Sequence, residues 1–80
     1  MSIMTVEQLT PGTSGIISGI QGDTTIRRRL MEMGLLPGSR LTLVKWAPLG
    51  DPAECLIRGY KLSIRRAEAA LISVDTKQME

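Results

Sequence analysis

Residues 33–52, Met-Gly-Leu-Leu-Pro-Gly-Ser-Arg-Leu-Thr-Leu-Val-Lys-Trp-Ala-Pro-Leu-Gly-Asp-Pro, leave this chain few ways to fold. Gly34 stands where a helix would stop in the left-handed conformation. Pro37-Gly38 is a turn dipeptide that sends the chain back. A strand over Ser39–Trp46 follows, and Pro48 and Pro52 then fence a loop, Ala47 to Pro52, in which both prolines hold φ and Gly50 can take positive φ. The segments on either side must supply that strand with partners.

Thr5-Val6-Glu7-Gln8 fits the S/T-x-x-E/Q capping box, after a short lead-in over Met1–Met4. Pro11-Gly12 limits the resulting helix to about one turn, with Val6 and Leu9 plugging one end of the core. Ser14–Ile20 reads as a strand with Ile16, Ser18 and Ile20 on one face and Ile17 on the other. Gly15 and Gly19 suit sharp curvature there, as at a barrel corner. Asp23 or Thr24 can cap a helix running to Met33, whose apolar stripe is Ile26, Leu30 and Met33, with Leu35 folding back over its last turn. Within Ser39–Trp46, Leu41 and Leu43 face one side, then Val44 and Trp46 the other. Such a switch marks a bulge or a bent strand that serves two sheets.

Ala53–Arg58 and Tyr60–Arg65 are two further strands, joined by a tight turn at Gly59-Tyr60 or at Arg58-Gly59. The second alternates cleanly, Tyr60, Leu62 and Ile64 against Lys61, Ser63 and Arg65. Arg66–Ala70 has room for one helical turn, and Leu71–Val74 is the last strand. Five short strands, one inserted α-helix, a short N-terminal helical turn and Gly/Pro turns predict a mainly β domain, a small barrel over residues 1–75. Residues 76–80 are polar and read as a frayed tail.

Composition excludes more than it suggests. Ten Lys and Arg against eight Asp and Glu give a net charge of only +2, and aromatic residues make up 2% of the chain. Nucleic-acid binding through Arg27, Arg28, Arg29, Arg65 and Arg66 is therefore a minor alternative, lacking both strong charge and stacking platforms. With no histidine and one cysteine, Cys55, neither a Cys/His zinc site, nor a histidine triad, nor an intrachain disulfide can be built. Cys55 lies in a strand pattern and reads as a buried structural thiol. The carboxylates are scattered singly, and no phosphate-binding loop motif occurs. We assign no catalytic residue, no metal and no cofactor. No signal peptide and no membrane-length apolar run are evident, which predicts a cytoplasmic protein that does not itself enter the membrane.

Two surfaces remain for a partner. The first is the proline-fenced loop with Trp46, Leu49, Gly50 and Asp51, where Trp46 and Leu49 offer apolar surface beside a pre-ordered backbone. The second is the predicted helix, whose Arg27, Arg28 and Arg29 lie in its first half and Glu32 near its end, against the helix dipole. Arg28 and Glu32 can pair at i, i+4. Such a run is either a solvated face or a functional one. An arginine from it could also be presented in trans to a nucleotide-hydrolysis site. Exposed strand edges leave a homo-oligomer open.

Leu30-Met31-Glu32-Met33-Gly34-Leu35-Leu36-Pro37-Gly38, then Ala47 to Pro52, then Gly59-Tyr60-Lys61-Leu62-Ser63-Ile64-Arg65 with Glu68-Ala69, resemble the FeoA core domain in order and spacing. The resemblance spans about Leu9 to Val74. It implies an SH3-like barrel and a non-enzymatic accessory role in bacterial ferrous iron uptake, beside the FeoB transporter and its cytosolic GTPase region. Adaptor and GTPase regulator are both compatible with it. The same domain is similar to the C-terminal module of metal-dependent repressors, although this chain starts almost directly at the barrel. Gly34, Pro37, Gly38, Pro48, Pro52 and Gly59 are the motif positions, and their plainest role is to form the fold.

Overall fold

The structure, a computed structural model, describes residues 3–76. In chain order it consists of β1 (Ile3–Thr5), a single 3-10 turn (Val6–Gln8), β2 (Ser14–Ile20), α1 (Thr24–Glu32), β3 (Arg40–Trp46), β4 (Ala53–Ile57), β5 (Tyr60–Ile64), α2 (Arg66–Ala69) and β6 (Ile72–Asp75). The six strands form one antiparallel sheet in the order β1-β6-β2-β3-β4-β5. Val6, Ile17, Leu30, Leu35, Leu41, Leu43, Ile57, Ile64, Ile72 and Val74 are all buried between the sheet and the helical segments. Of the tail expected over residues 76–80, Thr76 is half-buried and the rest lie outside the described residues.

The sheet has one strand more than the sequence predicts. Ile3-Met4-Thr5 carries no period long enough to read. It becomes a strand because β6 arrives from the other end of the chain, pairing Ile3 with Asp75 and Thr5 with Ser73. The 3-10 turn after it is as short as expected, with Gln8 Oε1 accepting the Thr5 N–H at 2.9 Å.

Two bulges set which side chains face the core. In β2 the register slips between Ile17 and Gly19, so Ile20 joins Ile17 in the interior. The expected sharing of a face by Ile16 and Ile20 is thereby corrected: Ile16 is half-buried and Ser18 exposed. In β3 the slip falls between Leu43 and Lys45, which supports the bulge reading. Val44 is the extra residue and faces out, while Trp46, opposite buried Ala53, returns to the core side. An extra residue on one strand bends it and raises its twist.

The end of α1 follows from the sequence chemistry. Asp23 Oδ1 accepts the Ile26 N–H at 2.9 Å, so Asp23 rather than Thr24 is the cap. At the other end the Leu35 N–H reaches the Leu30 carbonyl at 3.2 Å and the Gly34 N–H reaches Met31 at 2.9 Å, the paired bonds of a Schellman motif. Leu35 is folded back and fully buried. Gly34 sits at φ +99°, and a Cβ there would run into the Tyr60 hydroxyl, which donates to the Met33 carbonyl at 2.9 Å. Pro37-Gly38 then turns the chain with Ser39 N–H donating to Leu36 at 3.0 Å.

Of the two turn frames considered between β4 and β5, the structure adopts Arg58-Gly59. Ile57 pairs with Tyr60, and Arg58 and Gly59 take φ of +52° and +86°, the type I′ pattern. The frame that starts on glycine would have been the cheaper choice locally. Pairing of Cys55 with Leu62 and Ala53 with Ile64 fixes the register that excludes it.

Candidate docking site

β3 ends at Trp46, and the chain immediately turns. Gly50 N–H donates to the Ala47 carbonyl at 2.7 Å, and Ala47 N–H donates to the Pro52 carbonyl at 2.9 Å, closing the base of the loop. Leu49 is thrown to the tip and is 96% exposed. An unsupported loop with an apolar tip would fold that tip away. This one is held from behind.

The support is Arg66, the first residue of α2. Its Nε and Nη2 donate to the Gly50 carbonyl at 3.1 and 3.0 Å, and its backbone N–H donates to Asp51 Oδ1 at 3.1 Å. The guanidinium lies 4.1 Å over the Trp46 ring, and Nη1 is 3.5 Å from Glu7 Oε2. One side chain thus ties the loop, β3 and the N-terminal 3-10 turn together. The benefit is reciprocal. A four-residue helix has mostly orphan N–H groups, and Asp51 satisfies that of Arg66 while Glu68 Oε1 accepts that of Arg65 at 3.0 Å.

The arginine run meets the same element. Arg29 Nη2 pairs with Glu68 Oε2 at 2.5 Å, so one of the three arginines is spent in joining α1 to α2. Arg27 and Arg28 stay exposed on a shallow outward face with Thr24, Met31 and Glu32. The anticipated Arg28–Glu32 pair does not form, since no ion pair links them within 4.0 Å. An exposed pair in the weaker orientation gains only a few tenths of a kcal/mol, less than holding two long side chains costs.

Of the residues named from sequence, Trp46, Gly50 and Asp51 converge on Arg66, Leu49 crowns them, and Arg29 is linked to them through α2. Pro48 and Pro52 shape the loop, whereas Gly34, Pro37, Gly38 and Gly59 lie in turns elsewhere. Sequence reasoning missed Arg66 and Glu68 as organisers. The one local signal was Glu68 three residues after Arg65, half of a capping box.

Cys55 is fully buried, and that burial, followed by the Glu54 carboxylate, pushes its thiol from 9.0 up to about 11. The folded thiol should resist alkylation at neutral pH and react only on unfolding. An unfolded thiol ionises near 9 and the folded one near 11, so the stability this thiol confers is intact below pH 9 and lost as pH rises through 11. Urea midpoints across that window should fall further for the native sequence than for Cys55→Ala. Among the described residues no three His, Cys, Asp or Glu side chains gather to hold a metal ion, and no helix is long and apolar enough to cross a membrane.

Comparison with known proteins places this geometry. The model of the FeoA domain family matches residues 4–76. A fusion protein of Porphyromonas gingivalis, Fe(2+) transport protein A joined to Fe(2+) transporter FeoB, is 38% identical over 72 residues, 90% of this chain. The chain spans only 8% of that relative's length. The solution structure of the Chlorobium tepidum FeoA protein is 37% identical with a TM-score of 0.84, covering 91% of this chain and 70% of that one. The crystal structure of Stenotrophomonas maltophilia FeoA with zinc, described as a procaryotic SH3 domain protein, is 28% identical with a TM-score of 0.79 and covers 92% of each chain. The sheet is therefore the SH3-like one that the resemblance implied, and the chain belongs to the FeoA domain family.

Proposed function

We propose that this chain is a non-enzymatic accessory of ferrous iron uptake, cytoplasmic, that docks on the GTPase-containing cytosolic part of a FeoB-type transporter. The contact is the Trp46–Pro52 loop, with Arg27 and Arg28 as an electrostatic rim. The observation that carries the docking surface is Leu49, 96% exposed on a loop whose backbone is fixed by Arg66. A preordered apolar tip loses little entropy on binding, and apolar centres rimmed by charge are what protein interfaces use. The choice of partner is supported by the Porphyromonas gingivalis relative, in which the two proteins share one chain.

The test passes the transporter's cytosolic domain over the immobilised protein. Leu49→Asp is expected to weaken binding by about a hundredfold, because a carboxylate must then be buried without a partner. Changing Arg27 and Arg28 to Ala should lower the association rate several-fold and leave dissociation nearly unchanged. Tight binding unaffected by either variant defeats this assignment. A second reading, stimulation of the transporter's GTPase, rests on Arg27 and Arg28 being unpaired among the described residues. Phosphate release that does not change on adding the native chain removes it.

A further inference from the structure

We propose that the outer face of β3 and β4 between Arg40 and Arg58 is a separate docking site for an acidic peptide segment of a partner protein. Leu41 pairs with Ile57 and Thr42 with Leu56, and continuing that register by one residue sets Arg40 opposite Arg58. Like charges directly opposite on a sheet destabilise it. Among the described residues neither guanidinium has an ion-pair or hydrogen-bond partner, and both side chains are exposed. Together with Thr42, Leu56 and Gly59 they line a shallow concavity of about 360 Å³.

The charge around it is lopsided. Lys45 and Lys61 share Glu54 at 4.0 and 3.4 Å, so this face of β3–β5 and the adjoining turn carry four cations against one carboxylate. Four of the other acids are engaged elsewhere: Asp23 and Asp51 cap helices, and Glu7 and Glu68 pair with arginines, while Asp75 stands on the same face as Arg40, on the far side of Ile16. A net charge of +2 therefore conceals a locally basic patch centred on Arg40 and Arg58. Leu56, 39% exposed, gives that patch an apolar floor, which suits a peptide alternating acidic and apolar side chains.

Arg58 is also held at a conformational cost. It is the one non-glycine residue at positive φ among the described residues, at a turn position that glycine or asparagine fills more favourably. A residue kept against local preference is what a binding role would require. The Arg40–Arg58 concavity is distinct from the Leu49 loop, since Arg40 and Trp46 mark opposite ends of β3, roughly 20 Å apart.

The probe is a fluorescein-labelled peptide of alternating glutamate and leucine, titrated by fluorescence anisotropy into the whole chain. Saturable binding that weakens with salt is expected, lost when glutamine replaces glutamate. Arg40→Ala and Arg58→Gly should each weaken it about tenfold, the loss of one charge-assisted contact. Arg58→Gly should at the same time melt higher by about 3–6 °C, so its loss of binding cannot be loss of folding. Leu49→Asp should leave peptide binding unchanged, which separates this site from the transporter contact. The proposal is overturned by absent saturable binding, by equal affinity in both arginine variants and the native chain, by loss in Leu49→Asp, or by a single-stranded oligonucleotide binding more tightly than the peptide.

Discussion

Gly34→Val is expected to destabilise the domain by about 3 kcal/mol or more, lowering its melting temperature by about 12–24 °C. A left-handed conformation costs an ordinary residue about 1–2 kcal/mol, and a β-branched one more. The new Cβ would also overlap the Tyr60 hydroxyl, which must then give up the Met33 carbonyl. Losing that hydrogen bond adds about 1 kcal/mol. A domain of this size has a total stability of roughly 4–12 kcal/mol, so the loss is a large share of it. A cycle with Gly34→Ala separates the two causes. With Gly34 in place, Tyr60→Phe should cost about 1 kcal/mol. In the Gly34→Ala background the same change should be neutral or stabilising, because the hydroxyl is what the added methyl meets. Additive effects would mean that only the backbone conformation matters there.

Arg66→Ala should cost about 2 kcal/mol in urea denaturation and weaken transporter binding at least about tenfold, although it leaves Leu49 untouched. The stacking on Trp46 contributes about 0.5–1 kcal/mol, the fork to the Gly50 carbonyl about 1–2, and the partly exposed pair with Glu7 little. Hydrogen exchange gives the more direct readout. The Gly50 and Ala47 amides, bonded to Ala47 and Pro52 carbonyls, should exchange faster while amides of β4 and β6 stay protected. Arg66→Lys should restore little, because an ammonium lacks the planar fork that meets one carbonyl with two N–H groups while lying over the indole. Native-like exchange in the lysine variant would mean charge alone holds the loop.

What could be read from sequence was whatever acts over a few residues. The Gly34 helix stop, the Pro37-Gly38 turn and the single N-terminal turn each depend on neighbours within four or five positions. The sequence switch after Leu43 was equally local and marked the bulge in β3. The slip in β2 left no such mark, because Ile16, Ile17 and Ile20 fit either face. β1 was invisible because its pairing partner lies some 70 residues away in β6. Arg66 is likewise opaque: its value comes from Gly50, Trp46 and Glu7, which meet only once the sheet has formed. The hairpin frame at Arg58-Gly59 was undecided because local turn preference favoured a glycine-first turn while cross-strand register demanded otherwise. Where chain-local and long-range demands disagreed, the long-range ones won.

The pairing of Ile3 with Asp75 leaves both extremities of the described chain side by side. Cargo spliced onto the head or onto the tail would hang from the same corner, and neither attachment need thread through the fold. A domain with such a handle can be grafted at either side with its Leu49 loop facing the world in the same way.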